Sequence, residues 1–272
     1  MRDYLNDVEI VGATMVYREG DQCRWSLDWL YANCDRVCIL LDNYNYETLG
    51  IVLDYRDRYP GRTHIGYSEE PYRENKNEIS GQVKKRFKNR QQYIRESMIR
   101  ELRKMHDEKP IDLLIWPDSD ETFIDEFPKY LKQFWEDKNV EYMMLGFIEA
   151  YDSMDQIVTQ KMAPHGRVYK YKPEMTALPY AMRTIYHPFE LKRPWKVRNL
   201  VVHMCNYTPE YRERRKFFAN RDMMEEGERL LWKLPKDVRQ MTVEEIADYQ
   251  FGYRGAPPKY APIKLTDYLI NK

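Results

Sequence analysis

Asp112-Leu113-Leu114-Ile115-Trp116-Pro117-Asp118-Ser119-Asp120-Glu121-Thr122-Phe123 is the stretch from which the fold is read. An apolar run, Leu113 to Trp116, stops at Pro117 and gives way to three carboxylates within four residues. A short apolar run closed by a turn signal reads as a buried strand. Residues two apart on an extended chain point the same way, so Asp118 and Asp120 are expected to aim at one spot beyond the strand's end. Two oxygen donors there suit a hard divalent cation, Mg²⁺ or Mn²⁺. In open α/β sheets, ligands bind outside the carboxyl ends of the strands. The other reading of this stretch is an acidic turn that caps the next helix.

Upstream, Val8 to Val16 is apolar and β-branched and reads as a first strand, followed by the loop Tyr17-Arg18-Glu19-Gly20. Asp21 is expected to cap a helix running to Asn33. Val37 to Leu41 is a second buried strand that also finishes in an acid, Asp42. A helix from Glu47 to Arg58 is stopped by Pro60-Gly61, and His64 to Tyr67 is a short third strand. This β-α-β-α-β order implies a parallel sheet with right-handed crossovers. Glu69 to Ser80 reads as a polar loop, long enough to act as a lid over a ligand. Lys84 to Lys104 reads as a helix with a strongly basic face, which either is solvated or contacts anions.

Downstream, Asp125 to Asp137 reads as a helix and Glu141 to Ile148 as a strand. Val168-Tyr169-Lys170-Tyr171 alternates in strand fashion, and prolines punctuate the segment after it. Leu200-Val201-Val202-His203-Met204 is a late strand. Tyr211 to Glu228 reads as a charged helix. Leu230 to Lys272 reads as a helical C-terminal appendage, with a helix near Val243 to Tyr249 and the tail Gly255-Ala256-Pro257-Pro258. The expected domains are therefore 1–228, divided at 123/124, and 229–272.

The 272 residues are 43% hydrophobic and 32% charged, which permits a sizeable core and excludes global disorder. Lys plus Arg and Asp plus Glu are both 44, so no protein-wide field attracts polyanions, although a local basic patch can. The four cysteines show no zinc spacing and read as reduced core thiols. No signal peptide and no spanning apolar run is legible, so the expected location is the cytoplasm.

Two strands thus end in acids on one edge of a parallel sheet. Asp42 is placed to accept hydrogen bonds from a base or ribose, and Asp118 and Asp120 to hold a cation. A cation between carboxylates and a diphosphate neutralises charge that grows as the diphosphate departs, which is what transfer from a nucleotide sugar requires. His203, on a later strand, is a candidate third ligand that would favour Mn²⁺; otherwise it is a buried neutral histidine.

Taken in order, the strand into Arg18-Glu19, the strand into Asp42, Arg90 on a basic helix, and the strand into Asp118-Ser119-Asp120-Glu121 resemble the GT-A glycosyltransferases of the family-two type. The resemblance covers roughly residues 8 to 220. It implies a Rossmann-like, mostly parallel sheet flanked by helices, with a nucleotide-binding half (8–123) and an acceptor half (124–228). It implies metal-dependent transfer of a sugar from a UDP-sugar or another nucleoside diphosphate sugar to an acceptor hydroxyl. By position, Arg18, Glu19 and Asp42 would contact the nucleoside, and Arg90 the base or phosphates. Asp118 would meet both donor and metal, Asp120 and His203 would complete the metal site, and Arg212 and Lys216 could reach the diphosphate.

The chain departs from that pattern after the D-x-D motif, where no Glu-Asp pair stands between Ala150 and Leu200 to supply a general base. Glu149 and Asp152 are the best candidates, with Glu174 behind them. The acceptor is unknown. Lys192-Arg193-Pro194-Trp195-Lys196-Val197-Arg198, with the basic helix and Arg212 to Lys216, interleaves cations and aromatics in a way that suits a modified base in DNA. The competing classes are a nucleotidyltransferase, which lacks the expected phosphate loop after the first strand, and a non-catalytic nucleic-acid-binding module, which leaves the D-x-D unexplained.

Overall fold

A computed structural model describes residues 5–42, 44–68, 80–158, 165–177, 185–186, 195–206, 209, 230–246 and 263–264. In chain order come β1 (Ile10–Val16), α1 (Cys23–Asn33), β2 (Arg36–Leu41), α2 (Tyr46–Arg58), β3 (Thr63–Tyr67), α3 (Ser80–Glu108) and β4 (Leu113–Ile115). There follow β5 (Glu121–Phe123), α4 (Phe127–Glu136), β6 (Tyr142–Tyr151), β7 (Ser153–Val158) and β8 (His165–Lys170). Then come β9 (Thr176–Ala177), β10 (Ile185–Tyr186), β11 (Trp195–Asn206), β12 (Leu230–Lys233) and β13 (Ile263–Lys264). The chain divides into two compact units, one of residues 1–120, 134–144 and 165–195, the other of 121–133, 145–164 and 196–272.

The first unit is built on β1. Its Gly12 lies opposite Val37 of β2 on one side and Ile115 of β4 on the other, both pairings parallel. β3 continues the parallel run on β2, and β8 closes antiparallel on β4 with Tyr169 opposite Leu114. The order is β8-β4-β1-β2-β3. This is the expected α/β class, a sheet flanked by helices that starts with parallel crossovers.

Period-two alternation assigns the faces. Val11, Ala13, Cys38, Leu40, Leu114 and Trp116 share a core with α3, which contributes Ile94, Met98, Ile99, Leu102 and Met105. Gly12 faces the opposite way, toward Leu30 and Cys34 at the end of α1. Strands covered on both faces are apolar throughout, which is why β1, β2 and β4 read as continuous runs rather than alternating ones. Cys23, Cys34 and Cys38 are buried free thiols.

In the second unit β5 and β11 pair antiparallel, Thr122 opposite Val202, and β6 and β7 form a hairpin. The stretch read as an appendage supplies β12, which pairs with β7 and then with β13. The Asp125 N–H donates to the Arg239 carbonyl at 2.7 Å, and the Val243 N–H to Glu126 Oε2 at 3.0 Å. Residues 243–246 are helical, as expected for the start of the last helix.

Several boundaries differ from the sequence reading. Gly20–Gln22 form a 3-10 turn, and Gln22, not Asp21, stands at the start of α1 without a side-chain cap. Asp21 pairs instead with Arg24 at 2.9 Å. α2 does have a side-chain cap, Asn45, which accepts from the Thr48 N–H. α3 extends past the expected helix at both ends, and β11 starts at Trp195 rather than Leu200. The short strands β5, β7, β9, β10, β12 and β13 were not anticipated. Residues 69–79, the helix read over Tyr211 to Glu228 and the tail at 255–258 lie outside the described residues. Among the described residues no helix is long and apolar enough to cross a membrane.

A Cβ at Gly12 would sit 2.7 Å from Leu30 Cδ2 and 3.0 Å from Cys34 Sγ. Gly12→Val must therefore push α1 off β1, and we expect a loss of roughly 1–3 kcal/mol of stability. Urea denaturation measures it; an unchanged midpoint would show that the contact yields freely.

Candidate active site at the sheet's carboxyl edge

The topology selects one crevice. From β1 the chain passes through α1 to β2 and through α2 to β3, moving away on one side. It then returns through α3 to β4, on the other side of β1. Ligands of open α/β sheets bind where the order reverses, outside the carboxyl ends of the strands. Glu19 follows β1 there, Asp118 to Asp120 follow β4, and Asp42 follows β2 directly. Asp42 is buried and is fixed by its N–H bond to the Val16 carbonyl at 2.9 Å.

The acids after β4 do not lie on an extended chain. The strand ends at Ile115, and Ser119–Asp120 form a turn. The two-residue alternation assumed from sequence therefore does not run through Asp118 and Asp120, and the surroundings of each carboxylate orient it instead. Asp118 is held by Arg167, whose Nη2 lies 2.6 Å from Oδ2. Glu19 accepts from the Tyr17 N–H and from the Ser119 side chain, with the Asp120 charge close by. Burial, reinforced by Asp120, lifts the Glu19 carboxyl to about 7, against the lowering pull of those hydrogen bonds.

A small, open cleft lies beside Asp118. Met15, Trp116 and Tyr169 give it apolar walls, and Arg95 and Arg167 bring guanidinium groups. Both arginines are deeply buried, at 6% and 3% exposure. The Trp116 N–H bonds to the Arg167 carbonyl at 2.7 Å, which carries the β4–β8 pairing past the end of β4 and delivers Arg167 to Asp118. At Gly166 a Cβ would fall 2.5 Å from the Tyr169 hydroxyl, so this approach needs glycine. Sequence reasoning missed both arginines. Arg95 was counted only among the cations of its helix. Arg167 directly precedes the alternating Val168 to Tyr171, which was the available signal.

The other expected site residues fall as follows. Arg18 is exposed, with its guanidinium 5.7 Å from the Tyr17 ring centroid. Arg90 lies on α3, its side chain outside the described residues, as are Arg212 and Lys216 altogether. In the second unit, Glu149 is fully buried in β6 opposite Val158. Asp152 is partly exposed in the β6–β7 turn with φ 58°, a left-handed conformation that Asp tolerates better than most residues. His203 is buried on β11 opposite Glu121, its ring 6.1 Å from that of Phe147. At the ends of β2 and β3, the exposed rings of Tyr44 and Tyr67 stand 6.0 Å apart.

The donor chemistry of the acidic turn fits a hard cation. Its carboxylates are oxygen ligands of the kind such a cation takes. Among the described residues no three His, Cys, Asp or Glu side chains converge into a cage. A cation held by one or two carboxylates, with substrate phosphates and water completing its shell, is the mode Mg²⁺ commonly adopts.

No protein-family model and no curated protein matches the chain. Among solved structures it is similar to residues 1–349 of S. aureus TarS, at 12% identity and TM-score 0.39, over 63% of this chain and 52% of that one. It is also similar to the mannosyltransferase PcManGT from Pyrobaculum calidifontis, solved with GDP-Man and Mn²⁺, at 11% identity and TM-score 0.38, over 62% and 46%. Another S. aureus TarS structure matches at 13% identity and TM-score 0.37, over 52% of this chain and 22% of that one. The chain therefore spans about half or less of the proteins it resembles. Likeness this low leaves the functional reading to the chain's own strand-end chemistry.

The raised Glu19 carboxyl makes stability depend on pH. Between the ordinary value near 4.5 and about 7, the folded protein holds a proton that the unfolded chain has lost. Stability therefore falls as pH rises through that window, by up to about 3 kcal/mol. In chelator-treated buffer, urea titrations from pH 5 to 8 should show this decline in the wild type and a flatter profile in Glu19→Gln. Parallel profiles would mean that Glu19 titrates normally.

Proposed function

We propose that the chain is a metal-dependent glycosyltransferase of the GT-A type, which moves a sugar from a nucleoside diphosphate donor to an acceptor hydroxyl. The observation that carries this reading is the gathering of Glu19, Asp118, Ser119 and Asp120 at the β1–β4 reversal, beside a cleft with two buried arginines. A diphosphate leaving group calls for both a carboxylate-held cation and guanidinium donors.

In this reading Asp118 and Asp120 hold Mn²⁺ or Mg²⁺, which when bound neutralises the charge developing on the departing diphosphate. Asp42 takes the ribose or base, and the exposed Tyr44 and Tyr67 rings flank it as stacking surfaces. Arg90, Arg212 and Lys216 are carried as phosphate contacts, and His203 as a third ligand, on the sequence resemblance. Of the two candidate bases, Asp152 is favoured, because its partly exposed carboxylate can meet an acceptor while Glu149 is enclosed.

Thermal-shift measurements with UDP, GDP and their sugars, each with and without Mn²⁺, test the donor class. A ligand at about 100 times its Kd adds about 2.7 kcal/mol. For a chain of 272 residues this is a rise of roughly 5–10 °C in Tm. Nucleotide and Mn²⁺ together should exceed either one given separately; flat melting curves across the panel reject the reading. Asp120→Ala should lower sugar transfer or donor hydrolysis on the order of 100-fold or more while the protein still melts cooperatively. Undiminished turnover would remove the acidic turn from the chemistry. His203→Ala should weaken Mn²⁺ binding by roughly tenfold, and an unaltered Mn²⁺ titration would leave His203 as a core residue.

A further inference from the structure

We infer that Glu19 is a positioning residue, which holds the acidic turn through Ser119 so that Asp118 and Asp120 meet the cation, rather than a contact to the nucleoside. The role of the cation rests on the proposed function; the role of Glu19 rests on the hydrogen bonds around it. Glu19 stands in the loop between β1 and α1, and Ser119 in the turn after β4. The Glu19 carboxylate accepts from the Tyr17 N–H of its own loop and from the Ser119 hydroxyl. Ser119 is buried and is the residue between the two aspartates, so a bond to its side chain constrains the turn that presents them both.

The Glu19 loop is itself anchored. Gly20, next along the chain, takes a left-handed φ of 57°, and its N–H donates to Thr48 Oγ1 at 3.1 Å. Thr48 is buried in the first turn of α2, where its own N–H donates to Asn45 Oδ1 at 2.9 Å. A Cβ at Gly20 would lie 2.7 Å from Glu47 Oε1, so the loop closes on the start of α2 only with glycine. Asn45, Thr48, Gly20, Glu19 and Ser119 thus form one polar strap, from the N-terminus of α2 past the end of β1 to the turn after β4. Glu19 is the link that crosses from β1 to β4. Partners that orient metal ligands without touching the ion matter nearly as much as the ligands, and losing one costs roughly 10- to 100-fold in metal affinity.

The test is a double-mutant cycle on Glu19→Ala, Ser119→Ala and the pair, with Glu19→Gln and Asp120→Asn beside them. Free Mn²⁺ is followed by electron paramagnetic resonance with UDP present, UDP binding without Mn²⁺ by calorimetry, and backbone order in the metal-free protein by hydrogen exchange. Each alanine variant should weaken Mn²⁺ binding about tenfold, and the pair no more than either, because both remove the same bond. Glu19→Gln can still bond to Tyr17 and Ser119 and should stay close to the wild type. Exchange in the alanine variants should quicken over residues 117–121 while β2 keeps its wild-type protection. Should Glu19→Ala fail to fold, Ser119→Ala decides the matter, and wild-type Mn²⁺ binding there overturns the inference. Additive losses in the pair overturn it. So does UDP binding without Mn²⁺ that falls in Glu19→Ala and not in Ser119→Ala, which makes Glu19 a nucleoside contact. With Asp120→Asn losing the metal, each of these outcomes leaves the proposed function standing. Absence of Mn²⁺ binding in every protein, with UDP present, overturns both.

Discussion

Everything at the site depends on β1 being paired in parallel on both sides. With β2 on one edge and β4 on the other, three strands send their carboxyl ends out together. Parallel pairing demands crossovers, and the crossovers place α1 against one face and α3 against the other. Both faces of β1 are therefore dry, and polar chemistry can emerge only where the strands stop. The acids Glu19, Asp42, Asp118 and Asp120 all occur within the few residues beyond those stops. A shared edge turns acids spread over a hundred positions of sequence into neighbours.

The electrostatics of that edge divide into two environments. Around Glu19, burial, reinforced by the nearby Asp120 charge, holds the carboxyl back from ionising. Around Asp118 the negative charge is matched by a buried guanidinium, with a second lining the same cleft. A diphosphate chelated to a cation presents both signs of charge a few ångströms apart. The edge presents both signs in return, which is why such a ligand is proposed for it.

Much of this was legible in the sequence for a physical reason. β1, β2 and β4 are covered on both faces, so their burial is written as uninterrupted apolar runs, and the acids closing them mark the edge. What escaped depends on contacts distant in the chain. β5 and β12 are short strands of ordinary composition that become strands by pairing with β11 and β7. Arg167 stands 49 positions from the aspartate it binds, and nothing local distinguishes it from other arginines. The turn at Ser119–Asp120 was hidden because the same acids suit an extended chain equally well. Asp21 was read as a cap from its position before an apolar run, yet an intervening 3-10 turn moved the helix start and gave that side chain to Arg24.

The order in which the ion pair is made has a consequence for biosynthesis. A ribosome adds Asp118, just past β4, 49 residues before it adds the arginine that neutralises it. During that interval the nascent sheet has β1, β2 and β3 available, but the open side of β4 has no β8 to receive its backbone groups. An unpaired strand edge invites association with other chains, and the unopposed acids beyond it repel such company. These carboxylates thus guard the growing polypeptide until its own closing strand emerges.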